Sequence, residues 1–117
     1  MAALSQLVDN LVVTNFDLTG SRVNIGRHPN NDIQIDEISV SGHHAVVDIE
    51  SNAYLEGTTD HYITDANSTN GTYVNDIRID SRQRLNNGDV VRIGWNLFRF
   101  VDDDENTLEK TAFILEE

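Results

Sequence analysis

Short runs of alternating apolar and polar residues recur along almost all of the 117-residue chain. A period of two is typical of β-strands, because successive side chains of a strand point to opposite faces of a sheet. The runs are 11–16, 23–26, 33–35, 45–50, 62–64, 72–74, 90–93 and 97–101. Turn signals rich in glycine, asparagine and aspartate separate them, and no long helical pattern interrupts them. The pattern therefore predicts an all-β sandwich.

The chain is short enough for one domain with one core. We expect residues 1–10 to be an N-terminal lead-in, residues 11–101 the β-domain, and residues 102–117 an acidic C-terminal tail. Within this tail, apolar residues at helical intervals follow a capping-box-like pair, so a short helix is one reading of it. An extended tail is the other, because about a dozen residues form only a marginal helix alone.

Composition narrows the class of partner. There are no cysteines, which excludes disulfides and thiolate zinc sites. The net charge of −12 disfavours nucleic acid and anionic membranes as partners. The N-terminus has neither a basic start nor an apolar run long enough to cross a bilayer, so we expect a cytoplasmic protein. Seven acids against Lys110 concentrate much of the negative charge in residues 102–117, and a local cationic pocket is compatible with the rest.

Three polar clusters stand where predicted strands end or begin. They are Gly26-Arg27, Ser41-Gly42-His43-His44 and Asn67-Ser68-Thr69-Asn70-Gly71-Thr72. Each by itself has an ordinary structural reading: a surface arginine after a turn, a buried histidine that props a loop, and an Asn-Gly hairpin turn. If the three meet at one rim of the sandwich, hydroxyl and amide groups surround a single guanidinium. Such a group of donors is typical of a phosphate receptor.

The order and spacing of these clusters resemble the forkhead-associated (FHA) domain. The resemblance covers roughly residues 11–101 and depends on the following motifs: Gly26-Arg27, Asp32-Ile33-x-Ile35-Asp36, Val40-Ser41-x-x-His44-Ala45, Asp65-x-x-Ser68-Thr69-Asn70-Gly71-Thr72-x-Val74-Asn75, Leu85-x-x-Gly88-Asp89 and Ile93-Gly94. It implies an eleven-stranded β-sandwich whose loops at one end bind phosphothreonine peptides. No cofactor and no metal are implied.

The resemblance also implies a role for each matching residue. Arg27 and Ser41 match residues that contact the phosphate, Thr69 a position that helps to hold the phosphate or the threonine methyl, and Asn70 the residue that bonds the main chain of the ligand. Structural support of the loops is implied for Gly26, His44 and Gly71. The chain departs from the pattern at Gly42, where many members carry Arg, Asn or Lys, and we expect its backbone N–H to serve the phosphate instead.

We therefore expect a phosphothreonine-dependent protein-interaction module of Ser/Thr kinase signalling or assembly, without catalytic activity. It should be a monomer unless its own tail is phosphorylated, for example at Thr111. A sandwich that binds proteins without phosphate is the main alternative. Two minor ones are a hydrolase using Ser41, His44 and Asp65, and a metal site. The latter would use His28, His43, His44 and His61.

Overall fold

The computed structural model describes residues 2–55 and 57–102, which form eleven β-strands and no helix. The strands are β1 (Ala2–Val8), β2 (Leu11–Leu18), β3 (Arg22–Gly26), β4 (Ile33–Gln34), β5 (Ala45–Ser51), β6 (Thr59–Asp65), β7 (Thr72–Val74), β8 (Ile77–Arg78), β9 (Gln83–Leu85), β10 (Val90–Ile93) and β11 (Asn96–Asp102). The predicted all-β class and the count of eleven strands are confirmed.

The strands form two sheets that pack face to face. The first sheet has the order β2-β1-β11-β10-β7-β8 and the second the order β4-β3-β5-β6-β9. Only the short β3–β4 pair is parallel among the pairs of described strands. Alternation explains the core: β11, for example, turns Phe98 and Phe100 inward, where both are fully buried, and turns Arg99 outward.

Most of the segment predicted as a lead-in, residues 1–10, forms a strand of the first sheet. Strand β1 lies inside the first sheet, paired with β2 on one side and β11 on the other, and its Leu4 is fully buried. Its alternation is obscured because the polar Ser5 is buried as well as its neighbour Leu4. The register with β2 shifts between Gln6 and Leu7, where β2 carries the extra residue Val13. The Ser5 hydroxyl donates to Asn15 Oδ1 at 2.6 Å, which satisfies it inside the sheet.

The predicted boundary at residue 102 also moves. Asp102 is the last residue of β11 and is buried, and its backbone N–H donates to Asn87 Oδ1 at 2.8 Å. The predicted C-terminal helix or tail, residues 103–117, lies outside the described residues. In the described ranges no helix has the length and apolar character needed to span a membrane.

The pairing of the second sheet brings three loops to one end. Ile25 near the end of β3 lies opposite Ala45 at the start of β5, and Ala45 lies opposite Asp65 at the end of β6. The loops that follow β3, precede β5 and follow β6 therefore leave the sheet side by side. These are the loops that carry the three polar clusters of the sequence.

Candidate functional site

The loop after β3 is joined to the loop before β5 by close backbone contact at Gly26. The N–H of Arg27 donates to Ser41 O at 2.9 Å, and the N–H of His28 donates to Gly42 O at 3.1 Å. A Cβ atom added at Gly26 would lie 2.2 Å from Gly42 O, which is far inside contact distance. Glycine is required here because the two backbones touch, and this contact places Arg27 beside Ser41.

Asn31 reinforces the same contact, and the sequence did not single it out. Its side-chain Nδ2 donates to Gly42 O at 2.7 Å and to His28 O at 2.8 Å, and the residue is buried. Its Oδ1 lies 3.3 Å from Nδ1 of His43. In the sequence, the run from His28 to Asp32 indicates only a turn. Nothing in it predicts that the side-chain amide of Asn31 binds the backbone of another loop.

Ser41 and His44 connect this pair of loops to the loop after β6. The Ser41 hydroxyl oxygen accepts the N–H of Thr69 at 3.0 Å. The Ser41 N–H donates to His44 Nδ1 at 3.0 Å, so the other ring nitrogen carries the proton and donates to Gly71 O at 2.9 Å. His44 is fully buried, and its two ring nitrogens brace the two loops against each other.

Asp65 organises the loop after β6 from inside. Its carboxylate accepts the backbone N–H of Ser68 at 3.0 Å and the hydroxyls of Ser68 and Thr72 at 2.5 Å and 2.7 Å. Burial raises the pKa of Asp65, but these hydrogen bonds outweigh it and hold the pKa below its ordinary value. Ser68 in turn accepts the N–H of Gly71 at 2.9 Å, which closes the Asn-Gly turn.

Ser39 joins three loops and was also missed from sequence. Asn70 Nδ2 donates to Ser39 O at 2.8 Å, and the N–H of Trp95 donates to Ser39 Oγ at 2.9 Å. The Ser39 hydroxyl and N–H both donate to the Glu37 carboxylate. These bonds, followed by one from Asn96 and the charge of Arg27, lower the pKa of Glu37.

These braces leave a set of polar groups facing solvent at the rim. Arg27, Thr69 and Asn70 are exposed, and Ser41 is half-buried. In the described ranges Arg27 has no carboxylate within 4 Å. The Ser41 hydroxyl keeps its hydrogen for an outside acceptor, and the N–H of Gly42 has no partner among the described residues. An exposed guanidinium beside hydroxyl, amide and backbone donors suits a tetrahedral dianion.

The same geometry disfavours the enzyme reading. His44 contacts Ser41 through the Ser41 backbone N–H, and both of its ring nitrogens are occupied by backbone groups. The hydrogen bonds of Asp65 go to Ser68 and Thr72. A nucleophile and base need a direct hydrogen bond between their reacting atoms, and this arrangement has none.

The four histidines do not form a metal site in the described part of the chain. His28 and His43 stack with ring centroids 5.8 Å apart, whereas His44 and His61 are buried separately. The described residues contain no group of three or more histidine, cysteine or acidic side chains placed to hold an ion.

Comparison with known proteins identifies the family. The sequence model of the FHA domain matches residues 23–94. The chain is 36% identical over 98 residues to the transcriptional regulatory protein EmbR of Mycobacterium tuberculosis, a match that covers 84% of this chain and 24% of EmbR. It is 40% identical over 79 residues to the glycogen accumulation regulator GarA of the same organism, covering 68% of this chain and 44% of GarA.

A solved structure gives the same result. The structure of M. tuberculosis EmbR in complex with a low affinity phosphopeptide superposes with a TM-score of 0.71 at 35% identity, covering 86% of this chain and 24% of that one. This chain therefore belongs to the FHA domain family. It spans about a quarter of the length of EmbR and less than half that of GarA.

Proposed function

We propose that this chain is a phosphothreonine-dependent protein-interaction module. The observation that carries the proposal is the exposed guanidinium of Arg27, which has no ion-pair partner among the described residues. It is held beside Ser41, and Thr69 and Asn70 are exposed at the same rim. The planar fork of arginine matches two phosphate oxygens, and the Ser41 hydroxyl and the Gly42 N–H supply further donors. Asn70 is oriented by its hydrogen bond from Nδ2 to Ser39 O. The second N–H and the Oδ1 of its side chain are left for the main chain of the ligand.

The relatives support this proposal and its setting. The EmbR structure was solved with a phosphopeptide, and both EmbR and GarA are named as regulators. We place the chain in Ser/Thr kinase signalling or assembly, in the cytoplasm, as a monomer without catalytic activity or cofactor. Its partner is a protein that carries phosphothreonine, and the charge of −12 disfavours nucleic acid or a membrane as an alternative.

Substitution of Arg27 tests the phosphate assignment. A phosphothreonine peptide selected from a library is titrated into wild-type protein and Arg27→Ala, by calorimetry and by the fluorescence of Trp95. Trp95 is the single tryptophan of the chain. Its backbone N–H donates to the hydroxyl of Ser39, whose carbonyl oxygen accepts a hydrogen bond from Asn70. Removing one partner of a desolvated charge pair costs about 2–5 kcal/mol, so a micromolar affinity should fall beyond detection.

The matched control is Arg22→Ala. Arg22 is exposed like Arg27, but it forms an ion pair with Asp48 at 2.9 Å on the outer face of the second sheet. The Arg22→Ala protein should bind the peptide with the affinity of the wild type. A folded Arg27→Ala protein with unchanged affinity would overturn the assignment of Arg27. Equal affinity for the phosphorylated and unphosphorylated peptides would favour the phosphate-independent alternative.

The threonine preference is tested with matched peptides. If Thr69 and its neighbours enclose the threonine methyl, phosphothreonine should be preferred over phosphoserine by roughly ten- to two-hundredfold, which is the value of about one buried methyl. Aspartate or glutamate in its place should not bind, because neither carries a dianion or tetrahedral oxygens. Equal affinities for phosphothreonine and phosphoserine would show that no methyl niche is formed.

A further inference from the structure

The seven arginines of the chain fall into distinct environments. On the second sheet and its margin, three of them are ion-paired: Arg22 with Asp48, Arg82 with Glu50 and Arg84 with Asp60, at 2.9, 2.7 and 3.1 Å. Arg27 is at the candidate site. The remaining three, Arg78, Arg92 and Arg99, have no carboxylate within 4 Å in the part of the chain that the structure describes.

These three arginines share the outer face of the first sheet. Arg78 of β8, Tyr73 of β7 and Arg92 of β10 are directly paired across adjacent strands. The Arg92 guanidinium carbon lies 3.8 Å from the centre of the Tyr73 ring. Arg99 of β11 is opposite Val90, two residues from Arg92, so the two arginines are diagonal neighbours. We call this row of Arg78, Tyr73, Arg92 and Arg99 the arginine strip.

The arginine strip is a cationic surface on an acidic protein, and its guanidinium groups form no ion pair with the described residues. Like charges on neighbouring strands disfavour each other, and the stacking of Arg92 on Tyr73 offsets this without supplying a negative charge. The chain carries 20 acidic residues against 8 basic ones. In the described ranges none of the carboxylates forms an ion pair with the strip, although Asp65 and Asp80 line the same cavity as Arg78 at its rim end. An anionic segment would therefore find three guanidinium groups in one row that have no ion-pair partner among residues 2–55 and 57–102.

One acidic segment is tethered beside this surface. Residues 103–117 hold six acidic side chains and one lysine. They follow directly on Asp102, the last residue of β11, which is three residues after Arg99. Arg78, at the far end of the strip, lies three strands away from β11 and level with Leu97, which is five residues before Asp102. With the usual spacing between strands and rise per residue, Arg78 is about 22 Å from Asp102. A chain of this length reaches at most about 50 Å, so it can cover the whole strip.

We propose that the C-terminal segment 103–117 docks on the arginine strip through its carboxylates. The covalent tether favours this segment over a free acidic peptide of similar charge, because a short flexible linker gives an effective concentration in the mM range. The strip begins beside the binding loops, since a Cβ at Gly71 would lie 2.9 Å from Arg78 Nε. The docked segment thus crosses the first sheet from Arg99 towards the rim.

A nitroxide spin label tests the docking in the full chain. The protein has no cysteine, so Ala112→Cys gives a single labelling site. In ¹⁵N-labelled protein at low salt and without phosphopeptide, the amides of Tyr73, Arg78 and Arg92 should lose intensity. The amides of Arg22 and Asp48 on the second sheet should keep theirs. In about 1 M salt, where the screening length is about 3 Å, the loss should disappear.

Two sets of substitutions complete the test. The triple variant Arg78→Gln, Arg92→Gln, Arg99→Gln should abolish the intensity loss, whereas Arg22→Gln with Arg84→Gln, which removes ion-paired arginines, should leave it unchanged. Loss spread equally over both sheets, or loss that survives salt, would overturn the proposal. As a further control, spin-labelled ¹⁴N protein is mixed with ¹⁵N protein that carries no spin label. A loss in this mixture as large as that in the spin-labelled ¹⁵N protein would assign the contact to a second copy and overturn the proposal. Because no phosphopeptide is used, failure here is separate from failure of the proposed function.

Discussion

Adding one methyl group at Gly26 should separate the two loops that form the candidate site. In Gly26→Ala the new Cβ would lie 2.2 Å from Gly42 O and 2.8 Å from Asn31 Nδ2. No contact at 2.2 Å can persist, so the backbones must move apart. The movement stretches the hydrogen bonds from Arg27 N to Ser41 O and from His28 N to Gly42 O.

The cost can be worked from these contacts. Two weakened backbone hydrogen bonds are worth about 0.5–1.5 kcal/mol each, and overpacking adds about 1–3 kcal/mol. The free energy of unfolding should therefore fall by about 2–6 kcal/mol. With an m-value of about 2 kcal/mol/M, the urea midpoint should drop by about 1–3 M while the slope stays the same. Phosphopeptide affinity should fall as well, because Arg27 is displaced from Ser41.

Gly42→Ala is the matched control, since it adds the same methyl on the other side of the same contact. A Cβ at Gly42 meets nothing within 4 Å, and its backbone lies outside the left-handed region. This variant should stay within about 0.5 kcal/mol of the wild type, as surface substitutions usually do. If Gly26→Ala were as stable as Gly42→Ala and bound the peptide equally well, the close approach of the two loops would not be what positions Arg27.

Three further outcomes are expected. Gly42→Arg, which has open space for its side chain, should raise phosphopeptide affinity, and calorimetry in increasing salt should show the gain shrinking. The lowered pKa of Asp65 means that the unfolded state takes up the proton first as the pH falls. The contribution of Asp65 to stability is present above pH 3.8, the ordinary pKa of an aspartate, and is lost as the pH falls below it. Acid denaturation should show this loss, and Asp65→Asn should remove this part of the pH dependence. Phosphorylation of Thr111 should reduce binding of external peptide through docking on Arg27, whereas an unchanged monomer that binds at full affinity would exclude self-docking and head-to-tail assembly.

Local sequence was sufficient for much of the fold and for the exposed part of the site. Strands β7 and β10 match the alternating runs at 72–74 and 90–93 residue for residue, because each turns buried side chains to one face. The polar clusters stand at strand ends, and antiparallel pairing of β3, β5 and β6 brings those ends together. The order of the motifs predicts Arg27, Ser41 and Asn70 at one rim, and the structure has these residues in adjacent loops. Their role in binding a phosphopeptide stays a prediction.

The supporting residues depended on the tertiary structure. Asn31 looked like a turn residue, yet its amide holds Gly42 O. Ser39 carried no signal, yet it receives Asn70 from 31 residues away and Trp95 from 56 residues away. Strand β1 is predicted as a lead-in because its polar and buried Ser5 breaks the period of two.

The arginine strip shows the physical reason for this division. Alternation along a strand decides which face a side chain occupies, so the sequence alone places Arg92 and Arg99 on the outer face of their strands. Which arginines become neighbours, and which meet a carboxylate, depends on the pairing register between strands far apart in the chain. The pairing of Arg78, Tyr73 and Arg92 across β8, β7 and β10, and of Arg22 with Asp48, is set by the packing of the whole sandwich rather than by any local pattern.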